Sequence, residues 1–151
     1  MCIRDSTYEN LGRLDEALRL KRDVYTGFSR LFGEEYANTL QAASNYANSL
    51  VQLKRFEEAK SLMRKTMPVA RRVLGESNEL TLMMRQNYAE ALYKDDAATL
   101  DGLREAVTTL EDTARTARRV MGGAHPTTKG IGFSLGNARA ALRVRETPPG
   151  K

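Results

Sequence analysis

Residues 39–75 read TLQAASNYANSLVQLKRFEEAKSLMRKTMPVARRVLG, and the spacing of their apolar letters decides the fold. Leu40, Ala43, Ala47, Leu50 and Leu53 recur at intervals of three and four, which places them on one face of a helix. After the charged pair Lys54-Arg55 the same spacing resumes with Phe56, Ala59, Met63, Ala70, Val73 and Leu74. The stretch is therefore two amphipathic helices joined by a short turn, a helical hairpin.

The hairpin is copied along the chain. Arg13, Leu14, Glu16, Ala17, Leu20, Arg22 and Gly33 stand 42 positions before Arg55, Phe56, Glu58, Ala59, Leu62, Arg64 and Gly75. In the other direction, Thr39, Leu40, Asn45, Tyr46, Ala47 and Leu50 match Thr81, Leu82, Asn87, Tyr88, Ala89 and Leu92 at the same interval. Farther on the interval is 47, and it pairs Glu58-Ala59, Thr66, Ala70-Arg71-Arg72-Val73 and Gly75 with Glu105-Ala106, Thr113, Ala117-Arg118-Arg119-Val120 and Gly122. A fixed period of this length is the mark of a repeat array, in which each hairpin buries its apolar face against its neighbours.

The register divides the chain. Residues 1–6 do not fit it, because Arg4 and Asp5 fall where an apolar pair belongs, and they are read as a leader outside the repeats. Residues 7–146 form the array: a partial repeat over 7–33, full repeats over 35–75 and 77–122, and a last helix over 125–146. In the partial repeat, residues 7–12 are the end of one helix and Leu14–Phe32 the next. Helices are then expected over about 35–53, 56–74, 77–93 and 100–121. Gly33, Gly75 and Gly122 stop their helices by taking a left-handed conformation. Pro68 should bend the helix that contains it. The five extra residues of the second full repeat, around 94–98, are assigned to a lengthened loop. His125-Pro126 opens the last helix, which Gly130, Gly132 and Gly136 weaken, and the tail 147–151 is expected to be disordered.

Composition narrows the function. The net charge is +5 with 28% charged residues, an ordinary solvated surface. Residues 101–151 carry 9 Lys and Arg against 5 Asp and Glu, whereas residues 1–34 balance at 6 and 6, so an acidic partner would favour the C-terminal end. One cysteine and one histidine, Cys2 and His125, make neither an internal disulfide nor a zinc set. No apolar run approaches the ~20 residues of a membrane span, and no signal-peptide core opens the chain, which makes the cytosol the default compartment.

With a small Ala in each second helix and an aromatic-alanine pair in each first helix, the repeats resemble tetratricopeptide repeats. The 42-residue interval, the ARRVLGE and ARRVMGGAHPTT runs and the recurring Asn-Tyr-Ala resemble more narrowly the kinesin light chain type. The resemblance covers residues 8 to about 145. It implies an all-α, right-handed solenoid of antiparallel helix pairs, about three and a half hairpins long, whose first helices line a concave groove. Departures are visible: the family's paired asparagines appear here as Ser44-Asn45, Gln86-Asn87 and Phe133-Ser134, and its His-Pro occurs once, at His125-Pro126.

In that arrangement the residues facing away from the apolar stripe are candidates for a binding surface. They are Gln41, Ser44, Asn45, Asn48 and Gln52 in the first full repeat, Met83, Gln86, Asn87, Glu90 and Lys94 in the next, and Phe133, Ser134 and Asn137 near the end; Tyr93 and Phe133 could be apolar anchors. Amide side chains offer donors and acceptors together and could hold the backbone of an extended peptide; the plainer reading is that they bond to neighbouring helices or water. Arg71-Arg72 and Arg118-Arg119 could meet phosphates, yet cations in a last turn also suit the helix dipole. Glu57-Glu58 lie at an exposed helix start and point in different directions, which does not suit a paired acid and base. Gly122-Gly123 through Lys129 lacks the preceding strand and the Gly-Lys-Ser/Thr of a phosphate loop. No metal or cofactor is expected.

The expected role is a non-catalytic interaction module holding a protein or peptide, with end-to-end self-association through uncapped terminal repeats as a further possibility. Two rivals belong to other classes: a sensor arm of a larger multidomain enzyme, and a nucleic-acid-binding α-solenoid. The latter requires arginines and aromatics together along the groove, whereas here the arginines cluster at helix ends and Trp is absent.

Overall fold

The computed structural model describes residues 3–147. Six helices follow one another: α1 (Ile3–Phe32), α2 (Ala37–Gln52), α3 (Phe56–Leu74), α4 (Glu79–Tyr93), α5 (Leu100–Met121) and α6 (Pro126–Glu146). Among the described residues there is no strand. Met1, Cys2 and the tail residues 148–151 lie outside them.

Each helix packs against the next, and α2, α4 and α6 also touch one another in succession, while α1, α3 and α5 do not. Closer approach within one layer than within the other makes the stack curve, with α2, α4 and α6 on the inside. The repeated apolar letters form the seams. Leu40, Ala47, Leu82, Ala89, Met63, Ala106, Leu110 and Ile131 are fully buried, and each leucine so placed contributes about 2 kcal/mol of transfer free energy. The small residue of each second helix is Ala59 in α3 and Ala106 in α5, both at 0% exposure, where a larger side chain would push adjacent helices apart. Their counterpart Ala17 is only half-buried, because α1 packs on α2 alone. Leu20, Val24, Leu31 and Phe32 consequently leave an apolar stripe of α1 exposed.

Three sequence expectations change in the structure. First, α1 is unbroken from Ile3 to Phe32, so residues 3–6 form its first turn and no turn separates 7–12 from 14–32. A glycine inside a helix costs only about 1 kcal/mol, and Gly12 is accommodated in α1 with no atom within 4 Å of where its Cβ would lie. Second, two of the three helix-ending glycines are not in the left-handed helical conformation. Gly75 (φ 93°, ψ 159°) and Gly122 (φ 88°, ψ 156°) are extended with positive φ, a region open essentially to glycine alone. Third, the extra residues of the second full repeat are not all loop. The connection grows from residues 53–55 to residues 94–99, and α5 starts six positions before Ala106 where α3 starts three before Ala59. Asp95 stabilises that connection by accepting from the Ala97 N–H at 2.9 Å, and Thr99 caps α5 by accepting from the Gly102 N–H at 3.0 Å. Pro68 lies inside α3, which stays one helix from Phe56 to Leu74, and faces solvent.

The starts of α4 and α6 follow ordinary capping chemistry, whereas those of α2 and α3 carry no side-chain cap. Asn78 accepts from the Leu80 N–H at 2.9 Å, and His125, through Nδ1, accepts from the Thr127 N–H at 3.1 Å ahead of Pro126.

Candidate functional site

The inner face of the curve holds a recess of about 210 Å³ between α2 and α4, lined by Ser44, Asn45, Asn48, Met83, Gln86, Asn87 and Glu90. Seven of the sequence-predicted site residues thus come together. Asn45 and Asn48 are exposed on α2, one turn apart, and Met83 faces them from α4 at 37% exposure. Gln41, also exposed, donates from Nε2 to Asn45 Oδ1 at 3.2 Å and so presets the direction of that amide.

Ser44 and Ser134 depart from expectation. The helical period puts both on the exposed face, yet they are 2% and 4% exposed. Each sits where the next inner helix approaches, and each becomes a hydrogen-bond partner between helices. Asn87 Nδ2 donates to the Ser44 carbonyl oxygen and to Ser44 Oγ, both at 3.3 Å. Gln86 Nε2 donates to Ser134 Oγ at 3.0 Å, and the Ser134 hydroxyl donates to Glu90 Oε1 at 3.3 Å. Gln86 and Asn87 are therefore struts that tie α4 to α6 and to α2, whereas Asn45 and Asn48 keep their amides toward the recess.

The recess is close to electrically neutral. Glu90 is the charged group in its lining, and Lys94 donates to it at 2.8 Å. Burial disfavours the Lys94 charge, but the hydrogen bond to Glu90 and its negative charge outweigh that and hold the ammonium above its usual pKa. The remaining predicted residues lie apart. Gln52 is exposed at the end of α2, outside the recess. Tyr93 is half-buried and packed against the core; burial above all, with the Glu90 charge, pushes its pKa up. It is engaged inside the fold and leaves Phe133, at 74% exposure, as the free aromatic of this face of α6, with Asn137 exposed one turn on.

Other charged candidates are neutralised on the surface. Glu57 pairs with Lys60 at 2.6 Å, and Glu58 receives two hydrogen bonds from Arg55, at 2.9 and 3.0 Å. Among the described residues no cluster of His, Cys, Asp and Glu is arranged to hold a metal ion, and no helix is long and apolar enough to cross a membrane.

Sequence reasoning missed one internal device. Arg85 stands in the apolar stripe of α4, 7% exposed, and donates from Nη2 to Asp112 Oδ2 of α5 at 2.7 Å. A charge at an apolar position was the available signal; its partner lies 27 residues away and could not be read from spacing.

The family model described as tetratricopeptide repeat matches residues 6–70 and, overlapping them, residues 38–99. No curated protein matches the chain.

Proposed function

The chain belongs to the tetratricopeptide repeat family, whose arrays mediate protein–protein interactions, and from that premise we propose that the α2–α4 recess holds an extended, uncharged segment of a partner protein. The observation that supports this reading is the pair of exposed amides, Asn45 and Asn48, beside the apolar Met83 in a recess with no uncompensated charge. Amides of this kind satisfy the N–H and C=O groups of a peptide backbone whatever its side chains, while Met83 and Phe133 offer adaptable apolar contact. The runs from Ala70 and Ala117 and the recurring Asn-Tyr-Ala favour the kinesin light chain-like type within the family.

A displayed library of random peptides, selected on the intact chain, tests the proposal. Selected peptides should bind the Asn45→Ala/Asn48→Ala double variant at least about tenfold more weakly, with the helical circular dichroism unchanged. Equal binding to the double variant would refute it. The Asn87→Ala variant separates struts from contacts, since it should lower stability by about 1 kcal/mol before it alters any peptide preference.

A further inference from the structure

Helices α3 and α5 end in the same letters, Ala-Arg-Arg-Val, at residues 70–73 and 117–120. In α3 both arginines meet carboxylates: Arg71 lies 3.7 Å from Glu76, and Arg72 lies 3.0 Å from Glu35. The positions that would supply those acids to α5 are occupied by Gly123 and Ser77. Among the described residues, no carboxylate is within ion-pair distance of Arg118 or Arg119.

Arg118 forms one wall of an open cleft of about 370 Å³ between α5 and α6, with Arg115, Leu135 and Arg139 around it. Glu111 in the same cleft is taken up by Arg139 at 3.1 Å. Asp112 beside it is committed to Arg85 at 2.7 Å and reaches Arg115 only at 3.9 Å. Four guanidinium groups, of Arg85, Arg115, Arg118 and Arg139, are thus set against two carboxylates, neither of which reaches Arg118, and the surplus positive charge faces solvent. None of the cleft's residues belongs to the α2–α4 recess.

The equivalent place one hairpin earlier shows what such a cleft receives. Counting back 47 residues, Arg118 becomes Arg71 and Leu135 becomes Tyr88. There α5 supplies two carboxylates seven residues apart: Glu105 accepts from the Tyr88 hydroxyl at 2.7 Å, and Asp112 accepts from Arg85. The hydrogen bond from Arg85 holds the Asp112 carboxyl below its usual range, and Arg115 and Arg71 add to the effect. Seven residues are two helical turns, so both acids project from one face.

We propose that the α5–α6 cleft docks an acidic helical segment of a partner protein, seated where α5 sits on the preceding hairpin, with its carboxylates meeting Arg118 and Arg115. The site is independent of the groove reading. The charges decide its selectivity: an acidic segment completes the ion pairing that α3 completes internally, and a basic one is repelled.

The test is fluorescence anisotropy on the intact chain. The probe is a labelled alanine-rich peptide of about 18 residues, long enough for partial helicity, with glutamates along one face. Binding at low salt should weaken as salt screens the charges, and Arg118→Glu should weaken it at least about tenfold. Arg22→Glu, on α1, makes the same change in net charge and should leave affinity within about twofold. Equal losses in the two variants, equal binding of a lysine-for-glutamate probe, or displacement by ~1 mM inorganic phosphate would each overturn the proposal. Should Arg118→Glu fail to fold, Arg118→Ala serves with the same expected direction. The Asn45→Ala/Asn48→Ala variant should bind this probe normally, so failure of the groove reading and failure of this one are told apart.

Discussion

The α2–α3 and α4–α5 hairpins share a frame and differ in their polar seams. Leu40 and Leu82, Ala47 and Ala89, Ala59 and Ala106, Thr66 and Thr113, and Ala70 and Ala117 all stand at 0% exposure in matched positions. Even the buried threonines agree, since Thr66 donates to the Leu62 carbonyl at 2.8 Å and Thr113 to the Thr109 carbonyl at 2.6 Å. The differences fall where charge or chain length can vary without moving that frame: Ala43 against Arg85, Lys65 against Asp112, a three-residue turn against a six-residue one. A close-packed seam accepts few solutions, and a partly solvated one accepts many. Individuality therefore accumulates on the seams and edges, where partners can reach it.

If the frame is common, matched core truncations should cost the same. Leu40→Ala and Leu82→Ala should each lower unfolding stability by about 3 kcal/mol in urea titrations, both residues being fully buried. A difference larger than about 1.5 kcal/mol would break the equivalence and mean that one hairpin relaxes around the cavity where the other does not.

The seams should respond unequally. Asp112→Ala leaves the buried Arg85 guanidinium without its carboxylate and should cost about 2 kcal/mol, whereas Lys65→Ala at the matching position removes an exposed contact to Glu34 at 3.5 Å and should cost at most about 0.5 kcal/mol. Acid titration adds a sign. The folded Asp112 carboxyl titrates below its unfolded value of about 3.9, so its contribution is complete above that pH and is lost as pH falls through the lower folded value. The stability gap between wild type and Asp112→Ala should accordingly narrow below about pH 4; a gap that stays constant into stronger acid would remove the ion pair as its cause.

How much of this could be read from letters alone follows from the same contrast. The helices and their order were legible because 3.6-residue periodicity and the 42- and 47-residue intervals both report the frame. The break expected at Gly12 was a false reading of that same regularity: Gly12 stands 42 positions before Lys54, a turn residue, but α1 has one packing neighbour and stays helical there. Periodicity alone puts Ser44 on the exposed face, because a single helix does not report how near the next one comes. Asn87 was legible as an amide on the inner face but not as a strut, since its acceptor belongs to another repeat. The uncompensated arginines of α5 are legible only by comparison, when Gly123 and Ser77 are set against Glu76 and Glu35.

Helix ends give a smaller effect that should again be matched. Gly75→Ala and Gly122→Ala each place a Cβ on an extended backbone at φ 93° and 88°, and each should cost about 1.5 kcal/mol by thermal unfolding. No heavy atom outside the adjacent residues lies within 4 Å of either added Cβ, so the cost is conformational rather than steric crowding by the fold. Unequal losses would show that one of the two loops shifts to a different φ.

The smallest effect runs the other way and distinguishes the two inter-helix turns. Lys54 holds φ at 60°, the one non-glycine residue with positive φ among those described, and the six-residue connection 94–99 has no counterpart to it. A left-handed conformation costs a residue with a Cβ about 1 kcal/mol, part of which Lys54→Gly recovers while giving back some chain entropy in the unfolded state. The net expectation is a gain of about 0.5 kcal/mol, seen as a small rise in the urea midpoint at unchanged slope. The same glycine at Asp96, in the longer connection, relieves no positive φ and should give no gain. Loss of stability in Lys54→Gly would mean that the side chain, rather than the backbone, secures the tight turn.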